Sequence, residues 1–202
     1  MKHRLFRAGA VLICSVLLGA LTAPAVSAET VSEDETVAAE TEFETEMIGE
    51  IETFEFTEES APYEGAWVDF EEGFKLYVPV EWEITDLSDQ QKEEGILFQV
   101  TIPTEEEPIP GILVMTDETG GETTLSGIGE KIDEAGYVYN GLVKMNGIPC
   151  AAYTSAEDME EDVVGIAFFD PSGEDRLIRA EARCFAEAPS ELMTVLMSLT
   201  SL

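Results

Sequence analysis

The chain has 202 residues, enough for one folded domain with extensions. It carries 43 acidic against 10 basic side chains, a formal charge of −33, and one histidine, His3. That excess of negative charge repels nucleic-acid phosphates and anionic membrane surfaces, while divalent cations or a basic protein remain compatible with it.

Residues 1–28 read as a secretory signal peptide. Lys2, Arg4 and Arg7 make a basic start, Ala8 to Ala23 is an almost wholly apolar run, and Pro24 breaks it. Val26-Ser27-Ala28 then offers small residues for cleavage after Ala28. The run is shorter than the ~20 residues of a spanning helix, which favours cleavage over an uncleaved anchor. Cys14, preceded by Leu12 and Ile13, reads as signal core and not as a lipid anchor. The expected destination is the cell exterior or envelope, with no stable membrane insertion after cleavage. Cleavage removes His3, so the exported chain has no imidazole. That excludes histidine general bases, Ser-His and Cys-His nucleophile pairs and histidine-ligated zinc. A hydrolase built from this chain would have to work through carboxylates, lysine or tyrosine.

Residues 29–64 hold 14 acids and no base. Self-repulsion and sparse apolar groups predict a disordered, extended spacer. Phe43, Met47, Ile48, Ile51, Phe54 and Phe56 are scattered among the acids, a pattern that also suits an interaction tail. The composition shifts near Gly65, and residues 65–202 are expected to form the globular domain.

Within the domain, Trp67–Phe70 and Phe74–Val78 predict two short strands around a Glu71-Glu72-Gly73 turn. Ile96, Phe98, Val100 and Ile102 alternate with Leu97, Gln99 and Thr101 and predict a strand with one apolar face. Gly111–Met115 is apolar on both faces and predicts a central strand. Thr123, Thr124 or Ser126 can cap a helix carrying Leu125, Ile128 and Ile132, with Gly136 to end it. Gly127 and Gly129 weaken that helix by about 1 kcal/mol each relative to alanine. Tyr137–Met145 predicts a strand with an irregularity at Asn140-Gly141, and Asn146-Gly147 a two-residue hairpin into Ile148–Ser155. Strands at Val163–Phe169 and Leu177–Phe185 follow. Pro189 opens a final helix with Leu192, Val195, Leu196 and Leu199 on its buried stripe. The last three strands form a meander, which puts Cys150 and Cys184 two strand spacings apart, about 9–10 Å. A disulfide needs alpha carbons within about 7 Å, so two free, buried thiols are expected.

Chemical motifs are weak. TGGETTLSGIGEK has no Gly-Lys-Ser/Thr, so it is a turn and helix start and not a phosphate loop. TDETGGE and DPSGED do not fit the calcium-loop spacing and read as turns. Arg179 and Arg183 share one face of a strand. They are the candidate ligand-binding residues, for an acidic ligand, set against pairing with acid-rich neighbouring strands. Tyr77, Tyr137, Tyr139 and Tyr153 are candidates for an aromatic patch, set against ordinary half-buried sheet tyrosines. No catalytic residue, cofactor or metal site is assigned.

Phe74, Leu76, Val78, Pro79 and Trp82 follow the form aromatic-x-apolar-x-apolar-Pro-x-x-Trp, and MNGIPCAAYTS opens a later strand on Asn146-Gly147. With the order of elements, these segments resemble PsbP-like domains, the superfamily of PsbP, DcrB-type periplasmic proteins and a Ran-binding factor. The resemblance covers about residues 65–202. It implies an α+β fold, a single antiparallel sheet with helices on both faces in an α/β/α sandwich. It also implies binding or scaffolding more than catalysis. The expectation is an exported, non-enzymatic binding or accessory protein. A histidine-free hydrolase with paired carboxylates and an interaction protein acting through its acidic tail are the alternatives.

Overall fold

The computed structural model describes residues 51–105 and 107–202, all within a unit that spans Thr45–Leu202. The expected signal peptide and residues 29–50 of the acidic segment lie outside the described residues. In chain order the elements are β1 (Glu52–Phe54), β2 (Gly65–Asp69), β3 (Phe74–Pro79), β4 (Glu83–Ile84), α1 (Asp89–Glu93), β5 (Ile96–Thr101) and β6 (Gly111–Glu118). Then come α2 (Leu125–Glu134), β7 (Tyr137–Met145), β8 (Ile148–Ser155), β9 (Val163–Phe169), β10 (Arg176–Arg183), α3 (Pro189–Met197) and β11 (Thr200–Ser201). No helix among the described residues is long and apolar enough to cross a membrane.

Local chemistry fixes most of these boundaries. The Thr124 hydroxyl accepts from the Gly127 amide at 3.1 Å and starts α2, and Gly136, at φ 91°, follows its end. Asn146 and Gly147 both take positive φ, the geometry of a two-residue hairpin turn. The irregularity in β7 is a register shift between Tyr139 and Gly141. Gly129 has a role that its propensity hides: a Cβ there would lie 2.8 Å from the Tyr139 ring, so glycine lets α2 sit close on β7.

The expectation of one antiparallel sheet is corrected. Among the described residues there is an eight-stranded sheet, ordered β1-β7-β8-β9-β10-β6-β5-β4, and a separate three-stranded sheet, β11-β3-β2. The large sheet is also mixed, because β1 joins β7 in parallel. The physical reason is coverage. One face of the large sheet presents Phe98, Val100, Ile112, Val114, Ile166, Phe168 and Ile178, all buried. Strands β5 to β10 span roughly 24 Å from side to side, whereas the nine residues of α3 reach only about 13 Å. The β2–β3 hairpin therefore lies over this face beside α3 and does not extend the sheet edge. Phe74 meets Phe168 edge-on at 5.2 Å, and Phe70 meets Phe98 edge-on at 5.6 Å. Turn contacts pin the hairpin: Ser172 N donates to Glu72 O at 3.1 Å and Leu202 N to Gly73 O at 3.0 Å. Leu192, Val195, Leu196 and Leu199 of the closing helix and its end are buried in the same core, as their spacing predicts.

On the opposite face, Leu125, Ile128 and Ile132 of α2 pack against Ala151, Tyr153, Ala167 and Leu177. Strands β7 to β10 run as the expected meander, and Cys150 and Cys184 are free and buried.

The onset of the fold is corrected as well. It precedes Gly65: residues 51–64 form a strap tied along the domain. After β1, Asn146 N donates to Phe54 O at 2.8 Å, and Asn146 Oδ1 accepts from Phe56 N at 2.6 Å. The Phe56 ring then lies 5.9 Å from Trp67 and 5.5 Å from Tyr77. Trp67 Nε1 donates to Glu58 Oε1 at 2.7 Å, and Tyr63 stacks on Tyr77 at 6.0 Å. Apolar anchors among the acids outweigh the repulsion that composition alone suggests.

Candidate functional site

At the far end of the strap the chain builds a groove of about 500 Å³. It lies where the β2–β3 ladder stops. Gly65 pairs with Pro79, the last residue of β3, and the next link is Val80 N donating to Glu64 O at 3.1 Å. Pro79 has no amide hydrogen to continue the ladder, and Trp82 N turns back to donate to Pro79 O at 3.2 Å. The strap supplies one wall, Pro62-Tyr63-Glu64, and the turn after β3 supplies Val80, Glu81 and Trp82. Ile102 also lines the groove, and the start of α3 contributes Ala188 and Glu191.

The chemistry of the groove is of two kinds. Its floor and walls are apolar and aromatic: Pro79 is buried, Trp82 and Tyr63 are half-buried against the core, and Val80 is 56% exposed. Its rim is anionic: Glu64, Glu81 and Glu191 are exposed, and none of the lining residues is basic. The Tyr63 hydroxyl donates to Tyr77 O at 3.2 Å. Burial, and then the neighbouring Tyr77 and Glu191, push its pKa well above the usual phenol range. Tyr63 therefore presents a neutral, fixed ring. An aromatic floor inside a carboxylate rim can hold a cation through ring faces and charge together.

The sequence candidates lie elsewhere. Arg179 and Arg183 flank Glu181 on the face of β10 that also carries Tyr153 contacts. Glu181 is fully buried and accepts from Arg179 Nη1 at 3.0 Å, Arg183 Nη2 at 3.1 Å and the Tyr153 hydroxyl at 3.0 Å. Tyr153 reaches Glu181 because Gly165 stands between them in register, and a Cβ there would lie 2.3 Å from the tyrosine ring. Arg179 Nε also lies 2.5 Å from Asp117 Oδ2, close enough for an ion pair but out of line for a hydrogen bond. Arg183 Nη1 lies 3.4 Å from Glu161. Both guanidiniums are thus engaged with three acids of their own chain.

The four tyrosines do not form one patch. Tyr137 and Tyr153 meet at 5.2 Å beneath α2, and Tyr139 packs at Gly129. Tyr77 belongs to the cluster of Phe56, Tyr63 and Trp67 on the small sheet. The two acidic turns are joined: Thr119 Oγ1 donates to Asp175 Oδ1 at 2.7 Å, and Lys131 Nζ donates to Thr119 O at 2.6 Å. None of the groove residues is a site candidate in the sequence: Pro79, Trp82 and Ile102 enter there only as fold signals, and Tyr63, Glu64, Glu81 and Glu191 do not enter as individual residues. The local signals are Pro79-x-x-Trp82, read as a fold motif, and the Pro62-Tyr63 pair.

No protein-family model matches the chain, and no curated protein matches it. Solved structures similar to it include two of low identity. One is the solution structure of cyanobacterial PsbP from Synechocystis sp. PCC 6803, at 13% identity and a TM-score of 0.45, covering 66% of this chain and 89% of that one. The other is a crystal structure from Bacteroides thetaiotaomicron VPI-5482, at 15% identity and a TM-score of 0.37, covering 64% of this chain and 45% of that one.

Proposed function

We propose that the protein is an exported, non-enzymatic accessory protein of the cell exterior or envelope that binds a cationic partner in the groove beside Trp82. The groove carries this reading: aromatic and proline walls lie within a rim of Glu64, Glu81 and Glu191. The layout of residues 1–28 supports export. The overall charge of −33 supports a basic partner, since it steers cations toward the protein and disfavours anions. Arg179 and Arg183 are secondary to this site, because their guanidiniums are ion-paired with Glu181, Asp117 and Glu161.

Amide chemical-shift mapping tests the reading. The isotope-labelled chain is titrated with a pool of short cationic peptides. The expected result is a cluster of amide shifts at Tyr63, Glu64, Val80, Glu81, Trp82, Ile102, Ala188, Ser190 and Glu191. Small shifts spread evenly over the acidic surface would contradict it.

A further inference from the structure

We infer that the groove takes a proline-containing cationic peptide segment in the polyproline-II conformation; this deepens the reading of the groove as the binding site and rests on it. The walls withhold backbone donors. The groove lies beyond the end of the β2–β3 ladder, and the amides of Val80 and Trp82 are already bound within the chain. Pro62 and Pro79 have no amide hydrogen at all. A partner strand would find no row of free donors here, so strand addition is disfavoured. What the walls present instead are rings: Tyr63, Trp82 and the two prolines. A polyproline-II segment needs no ladder partner, because its backbone is solvated and its ordering entropy is low before binding. Aromatic-lined grooves recognise such segments by ring-to-ring packing.

The rim then sets the charge of the occupant. Glu64, Glu81 and Glu191 line the groove without a basic residue among them, so lysine or arginine flanking the prolines complements it. Trp82 and Tyr63 add ring faces on which a guanidinium can stack. A proline-rich acidic segment would be rejected by the same rim.

Trp67→Phe leaves Trp82 as the only tryptophan, so its emission reports the groove directly. The full-length W67F chain is titrated with three synthetic peptides: alternating proline and arginine, the same charges with every proline replaced by alanine, and the proline peptide with glutamate for arginine. The expected result is that the proline–arginine peptide shifts Trp82 emission and binds at least tenfold more tightly than its alanine counterpart, while the glutamate peptide does not bind. The double variant Glu81→Lys/Glu191→Lys, both exposed positions, is expected to lose at least tenfold in affinity with an unchanged circular-dichroism spectrum. Equal affinity for the alanine peptide overturns the inference but leaves a cationic groove. If none of the peptides perturbs Trp82, the inference and the reading beneath it both fall.

Discussion

Asn146 holds two distant parts of the chain with one side chain. Its Nδ2 donates to Met197 O and Leu199 O, each at 2.8 Å, while its Oδ1 receives Phe56 N at 2.6 Å. Asn146→Gly keeps the positive-φ turn and removes these three bonds. It is predicted to lower stability by about 1–3 kcal/mol, read as a drop in the urea midpoint at constant slope. A change under about 0.5 kcal/mol would show that the turn alone matters. The hairpin was legible in Asn146-Gly147, because backbone geometry follows from the dipeptide. The clamp was not, because its partners lie 51 and 53 residues downstream and 90 upstream. Arg179 and Arg183 allow a second comparison. The Arg179 side chain is 20% exposed and that of Arg183 37%, around a fully buried Glu181. Arg179→Ala leaves Glu181 short of its more buried partner and is predicted to cost about 3 kcal/mol. Arg183→Ala removes a more solvated pair and is predicted to cost about 1 kcal/mol or less. Equal losses in urea unfolding would contradict this ranking.

The strap of residues 51–64 is the element that composition concealed. Its acids suggest a solvated spacer, but Phe54 and Phe56 find partners through Asn146, Trp67 and Tyr77. Self-repulsion is spread over the segment and screened by salt, whereas aromatic burial is local and unscreened. Phe56→Ala is predicted to cost about 1–3 kcal/mol, less than a fully buried phenylalanine because Phe56 is half-buried. It should also weaken binding in the groove, since Pro62–Glu64 form its wall. An unchanged affinity in that variant would separate the strap from the site. The elements read most clearly were those whose own periodicity decides their packing: the β7–β10 meander, α2, and the leucine stripe of α3. The small sheet was not legible, because Phe74, Leu76 and Val78 alternate identically whether a strand extends a sheet or lies over one.

For the whole molecule, buried protonated groups set the alkaline limit. Burial pushes up the thiol of Cys150. Burial and then Glu161 and Asp162 push up Cys184, and burial and then Glu181 push up Tyr153. In each case the folded state holds its proton more tightly than the unfolded chain does. The stability that this adds is complete below the ordinary thiol range, near pH ~8.5. It is lost as pH rises further, because the unfolded chain releases its protons first. The urea midpoint is therefore predicted to hold between about pH 7 and 8 and to fall above about pH 8.5. Native-state labelling at pH ~8 should be slow, and slower at Cys150 than at Cys184. A midpoint that stays constant to pH ~11 would contradict the direction of these shifts. The strap is part of the domain, and it walls the groove proposed to take a cationic partner. Amide hydrogen exchange across residues 51–82, with and without a saturating proline–arginine peptide, tests it most directly. The expected result is protection of the non-proline amides of residues 52–64 in the free protein and added protection at Glu64, Val80 and Trp82 when the peptide is bound. Exchange of the strap at unfolded-chain rates, or no change at those three residues on binding, would contradict it.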